Sequence, residues 1–197
     1  MRIFFDVNSQ RDFLESGRPM TVKDNLKIKE AIKTLTWIAK ENNIRLLGSV
    51  DFHKTIDNEF LKFPVHCVGC SEGARHIEED YLKLNVMNYI HKAEYDNKFM
   101  LSLINKKIPL YFIKDDINVF HNPNIEKTLD ILKVKEAIVY GVSMEYDLKT
   151  TVDELIDHDI KVKVVLTAIG GYKEDKINEA LIDMDRRGVK FINLQEV

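Results

Sequence analysis

Asp51 and His53 stand two residues apart in the stretch SVDFHKTIDNEF, and His66 follows in KFPVHCVGCSEGA. On an extended segment, residues at i and i+2 point the same way. With His66 brought in from the following loop, the three offer two imidazoles and one carboxylate. That is a donor set able to hold a divalent metal with positions left open for water or substrate. The spacing alone also fits surface histidines and a capping aspartate. A second stretch, VYGVSMEYDLKTTVDEL, reads as a buried strand (Ala137 to Val142), a tight turn and a helix beginning around Tyr146. Such an elbow commonly presents a nucleophile. The residue presented here, Asp147, is a carboxylate where a thiol or hydroxyl would be expected. Cys67 and Cys70 lie three residues apart, too close for a disulfide framework, and suit ordinary thiols or, with His66 and His76, a second metal site.

These residues need a scaffold that gathers distant positions at one edge. Short apolar runs occur at Ile3–Val7, Ile44–Val50, Ile108–Ile113, Ala137–Val142, Val162–Ile169 and Phe191–Leu194. They are apolar nearly throughout rather than alternating, as in strands covered on both faces. Between the first two, Ile28, Ala31, Ile32, Leu35 and Ile38 recur at helical spacing. Ile177, Ala180, Leu181 and Met184 repeat the pattern, and Gly188 closes that helix. The alternation predicts an α/β three-layer sandwich, with a mostly parallel sheet of about six strands and helices on both faces. In such sheets ligands bind beyond the carboxyl ends of the strands. The residues just past the strands are Asp6 to Asn8, Asp51 to His53, Lys114 to Asp116 and Ser143 to Asp147. The segment Glu78 to Lys107 is helical in tone (Tyr81, Leu82, Val86, Tyr89, Ile90) and longer than a crossover requires, so it reads as an elaboration of one domain spanning 1–197. It is also a candidate subunit contact.

Composition bounds the partners. The chain has 197 residues, 45% hydrophobic and 31% charged, with a formal net charge of -3. That length suits one domain with a sizeable core. The charge balance gives no electrostatic case for nucleic acid or an anionic membrane. No apolar run reaches the length of a membrane span, and the N-terminus enters a strand without a signal-peptide pattern, so the cytoplasm is the expected compartment.

Several motifs together resemble the nicotinamidases, within the isochorismatase-like cysteine hydrolase superfamily. DFH followed by FPVHCVGCSEGA is similar to that family's D-W-H … W-P-x-H-C-x-x-G-T-x-G-A run. FFDVNSQRDFLESGRPMTV resembles its opening D-x-Q-N-D-F … G-G-x-L-x-V, with two extra residues between Asp6 and Asp12–Phe13. YFIKDDINVF resembles its strand-end lysine, and YGVSMEYDLKTTV resembles x-G-V-A-T-D-Y-C-V-x-x-T-A. The matches run in order over almost the whole chain outside Glu78–Lys107.

The resemblance implies roles. Asp6 matches the general base, and Lys114 the lysine that holds that aspartate. Asp51, His53 and His66 match the ligands of a divalent metal, zinc first, with iron and manganese as alternatives. Val142–Ser143 matches a cis peptide contributing to an oxyanion hole. Phe13 and Phe63 match aromatic walls around a flat ring, though core packing explains both equally well. A small amide such as nicotinamide is the implied ligand, and a homo-oligomer the implied assembly. Three departures stand out. Asp147 occupies the position of the catalytic cysteine, Asn8 displaces or shifts a glutamine, and Asp57 falls where a further histidine is common. A carboxylate attacks an amide poorly, and its product would be a mixed anhydride, so the covalent thioester route is expected to be absent. The remaining readings are a metal-dependent amide hydrolase using Asp6 or Asp147 as base, a metal-containing pseudoenzyme or binding module, and a structural subunit.

Overall fold

The computed structural model describes residues 1–77 and 88–197. Seven strands form one sheet in the order β3-β4-β2-β1-β5-β6-β7, and every neighbouring pair is parallel. They are β1 (Arg2–Val7), β2 (Arg45–Asp51), β3 (Asn88–Ile90), β4 (Leu110–Lys114), β5 (Glu136–Val142), β6 (Lys161–Gly170) and β7 (Lys190–Ile192). Beyond the first residues of β1 and β5 the central strands are buried throughout, which is why their sequences lack polar alternation.

The helices are α1 (Arg11–Leu14), α2 (Asn25–Glu41), α3 (Asn97–Asn105), α4 (Asn124–Leu132), α5 (Lys149–Asp157) and α6 (Glu174–Arg186). The stripe Ile28, Ala31, Ile32 and Leu35 of α2 is buried with Phe4, Ile138, Tyr140 and Val165 against one side of the sheet. On the other side, Ile3, Phe5, Leu47, Phe112 and Val139 meet Met100, Leu129, Leu155 and Met184, one from each of α3 to α6. Each fully buried aliphatic or aromatic side chain contributes about 1.5–3 kcal/mol, so the two layers clamp the sheet from both faces. Gly188 closes α6 at φ 85, as its position predicted.

Two expectations need correction. Tyr89 and Ile90 are not helical: they lie in β3, which extends the sheet by one strand beside β4. A three-residue strand is too short to show a period, and its neighbours in sequence had suggested a helix. The helical reading holds only for α3, while Tyr81, Leu82 and Val86 lie outside the described residues. The helix expected from Tyr146 begins instead as a π-helical turn, Met144–Leu148, that runs into α5.

The chain lays β2 and then β4 on one side of β1, and crosses back to place β5 on the other. The carboxyl ends beside this reversal are where ligands enter such sheets. Close strand approach there is bought with glycine. A Cβ on Gly141, whose φ is 117, would lie 2.0 Å from the Val7 carbonyl oxygen. Gly141 therefore lets β5 hug β1 directly before the elbow.

Candidate active site

Asp51 ends β2, and the chain continues extended to His53, which bridges to Val68 in the loop carrying His66. His53 donates its backbone N–H to the Cys67 carbonyl at 3.0 Å, and Gly69 returns a bond to the His53 carbonyl at 2.9 Å. The loop is pinned again where the Cys67 N–H reaches the Asp12 carboxylate at 2.8 Å. The result is convergence. One ligand atom from each of Asp51, His53 and His66 lies within 4.8 Å of the others, and all three residues are buried.

The imidazoles are also turned correctly. His66 Nδ1 meets the Pro64 carbonyl at 2.8 Å, and His53 Nδ1 meets the Asp57 carboxylate at 3.2 Å. Acceptors at Nδ1 fix that nitrogen as N–H and leave each Nε2 with a lone pair. His53 Nε2 is buried and has no hydrogen-bond partner among the described residues. A buried, unpartnered ring nitrogen beside a carboxylate and a second imidazole fits a cation held by Asp51, His53 and His66. Asp57, where a third imidazole was looked for, instead orients His53. Glu59 adds a carboxylate 3.9 Å from His66 Nε2, and burial, with Asp51 close by, pushes its pKa up to about 7.

Lys114, at the end of β4, pairs with Asp51 in the sheet register, and side chains at paired positions share a face. Its ammonium bonds Asp51 Oδ1, Asp147 Oδ1 at 2.6 Å and the Asp116 carbonyl at 3.0 Å. Burial works against the lysine charge, but Asp147 and Asp51 outweigh it and hold the ammonium well above ordinary lysine. The Asp51 carboxyl is pushed upward by burial, with Lys114 pulling it down and Asp147 adding to the rise.

Asp6 is elsewhere. It pairs with Gly48, an odd number of residues from Asp51, so it faces the opposite side of the sheet from Asp51 and Lys114. There its carboxylate accepts from Ser9 Oγ, from Tyr111 OH at 3.2 Å, and meets His76 Nε2 at 3.1 Å, all fully buried. Tyr111 reaches Asp6 by crossing Gly48, where a Cβ would lie 2.6 Å from the ring. The expectation that Lys114 holds Asp6 is therefore overturned by strand parity. His76 belongs to this cluster, and among the described residues Cys67 and Cys70 form no metal group.

The β1 terminus reaches the site through two residues that sequence reasoning undervalued. Asn8 adopts φ 50, a conformation asparagine tolerates better than most residues. Its amide donates to Asp51 Oδ2 at 3.3 Å, and its oxygen accepts from Ser49 Oγ at 2.9 Å. Gln10 clasps the Asp51 backbone, donating to its carbonyl at 2.8 Å and accepting from its N–H at 2.7 Å. The signal was present in NSQRDF. Aligned on Gln10 and Asp12–Phe13, rather than on the first aspartate, that run puts Asn8 at the head of the family's opening motif.

The elbow completes the arrangement. The Val142–Ser143 peptide is cis, and Ser143 donates its hydroxyl to Asp147 Oδ2 at 2.8 Å. Phe13 is buried edge-on to His66 at 5.4 Å, and Phe63 stands edge-on to Tyr146 at 5.6 Å. Beside Phe63 opens a groove of about 1100 Å³, lined also by Asp57, Glu59, Asp116 and Asn118. No helix among the described residues is long and apolar enough to cross a membrane.

The isochorismatase domain family matches residues 3–196. The chain belongs to the isochorismatase family. A zinc complex of pyrazinamidase from Pyrococcus horikoshii is similar at 21% identity, with 98% of each chain covered and a TM-score of 0.77. The nicotinamidase/pyrazinamidase of Bacillus subtilis is 17% identical over 98% of this chain and 99% of its own, at a TM-score of 0.78. N-carbamoylsarcosine amidase from Thermoplasma acidophilum is 11% identical over 100% and 98%, at 0.76. At these identities the likeness establishes the fold. No curated protein matches the sequence.

Proposed function

We propose that this isochorismatase-family chain is a metal-dependent hydrolase of a small amide or related C–N carbonyl compound, working by a route that forms no thioester. The supporting observation is the lysine bridge: one ammonium joins Asp51 of the ligand triplet to Asp147 at the elbow. In this reading Asp147 stands where the family's cysteine would, and Asn8 where its first aspartate would. The acid of the family's machinery has thereby moved across the site. Asp147 is then the proton acceptor, oriented by Lys114. Phe13 and Phe63 serve as aromatic walls. A divalent cation, zinc first, would be held by Asp51, His53 and His66, and when bound supplies Lewis acidity toward a substrate carbonyl. The similar pyrazinamidase of Pyrococcus horikoshii is seen in complex with zinc, and a similar yeast nicotinamidase is seen bound to the inhibitor nicotinaldehyde. The same reading takes 1–197 as one domain.

A second reading, a metal-containing binding module without turnover, is favoured by Asn8, which cannot act as a base. The test is ammonia release from nicotinamide, pyrazinamide and aliphatic amides, with metal analysis on the same preparation. Turnover by the wild type that disappears in His66→Ala supports the hydrolase. Nicotinamide binding without ammonia release supports the module, and neither binding nor turnover removes both readings.

A further inference from the structure

We infer that Ser143 is a nucleophile in this chain, with Asp147 as its base and Lys114 as the group that positions the base. This deepens the hydrolase reading and rests on it. The Ser143 hydroxyl donates to Asp147 Oδ2 at 2.8 Å, while Lys114 holds Oδ1 of the same carboxylate at 2.6 Å. Nucleophile, base and orienting group thus stand in one hydrogen-bonded line, which is the arrangement that activates a hydroxyl. Rotation of the carboxylate away from Ser143 would break the bond to a nearly wholly buried ammonium, so the serine's acceptor is fixed in place. Ser143 is 3% exposed and the Asp147 side chain retains 13%, so a substrate would approach the hydroxyl from the Asp147 end of this line.

The chemistry balances without an added reagent. The Ser143 O–H bond breaks, its proton passes to Asp147 Oδ2, and Oγ forms a bond to the substrate carbonyl carbon. The C–N bond then breaks as the departing amine takes the proton from Asp147, leaving an ester on Ser143. Water attacks that ester, giving a proton to Asp147. The ester C–O bond breaks, the acid leaves, and Oγ recovers the proton. An ester intermediate avoids the mixed anhydride that direct attack by Asp147 would form.

The experiment uses p-nitrophenyl acetate and methanesulfonyl fluoride on the full chain, with peptide mass mapping of the adducts. The expected result is a burst of nitrophenolate and an acetyl or sulfonyl group on Ser143. Ser143→Ala should lose the adduct, and Asp147→Asn, which keeps the carboxylate's shape, should slow labelling by about a hundredfold or more. Circular dichroism of both variants establishes that each is folded. Adducts confined to lysines or to Cys70, or undiminished labelling in Asp147→Asn, would overturn the inference. Amide turnover that survives Ser143→Ala removes Ser143 while leaving the hydrolase reading intact. An ester adduct on Ser143 without amide turnover does the reverse.

Discussion

Lys114 Nζ lies 2.6 Å from Asp147 Oδ1, and the same ammonium is bonded to Asp51. The lysine side chain is 1% exposed. One buried and one partly buried carboxylate therefore depend on one cation. Lys114→Met should lower unfolding free energy by about 3–5 kcal/mol, because removing one partner strands the others in a poorly solvated site. Asp147→Asn, which leaves Lys114 paired with Asp51, should cost less. Urea unfolding of the three proteins measures this, and equal midpoints for Lys114→Met and wild type would contradict it.

The triplet at Asp51, His53 and His66 should carry about one equivalent of divalent metal, lost in His66→Ala and in His53→Ala. Zinc at a hundred times its dissociation constant should raise wild-type stability by about 2.7 kcal/mol through mass action. Thermal melts with and without zinc are the check. An equal shift in His66→Ala would place the metal elsewhere.

Installing the thioester route should need two substitutions. Asp147→Cys supplies a thiol but leaves Asn8 beside Asp51 with no proton acceptor in the aspartate's place. Asp147→Cys alone should release ammonia from nicotinamide no faster than background, and adding Asn8→Asp should raise the rate by about a hundredfold or more, the usual contribution of a general base. Full activity in the single variant would show that Asn8 does not stand in for a base.

Asp6 should matter for stability and not for turnover. It accepts from or pairs with three buried groups, Ser9, Tyr111 and His76. Asp6→Ala should cost about 3–5 kcal/mol. Activity per folded molecule should change by less than the ~100-fold loss expected on deleting a base. A large fall in turnover at unchanged stability would return Asp6 to the catalytic machinery.

At the amino edge of the sheet, burial opposes ionisation of Glu136. The hydrogen bond and charge of Arg2, with Lys163, outweigh it and hold the carboxyl below its ordinary value. A lowered folded-state pKa gives stability that is present above the unfolded value and lost as pH falls through the folded one. Glu136→Gln should therefore flatten the stability profile slightly between about pH 5 and 3, by at most about 1 kcal/mol for so exposed a pair. Unfolding midpoints across that range measure it, and parallel profiles would show that the pair contributes nothing.

Residue types and short spacings determined much of this molecule on their own. Nearly continuous apolar runs such as Ile3–Val7 and Ala137–Val142 required strands covered on both faces, and the stripe from Ile28 to Leu35 required a helix packed on one of them. Asp51 and His53 at i and i+2 shared a side because a strand repeats every two residues. Those are local rules, and the structure kept them. Which charged groups meet was decided by tertiary structure. Whether Lys114 touches Asp6 or Asp51 depends on the relative register of three strands distant in sequence, and parity in that register sets Asp6 on the opposite face. Asn8 reached the site only because its backbone turns left-handed beyond β1, and Tyr89–Ile90 became a strand only because the edge of β4 offered a partner. A hydrogen-bonding edge supplied by another segment, and a face assigned by its neighbours, are properties of the assembled sheet that no single stretch of chain contains.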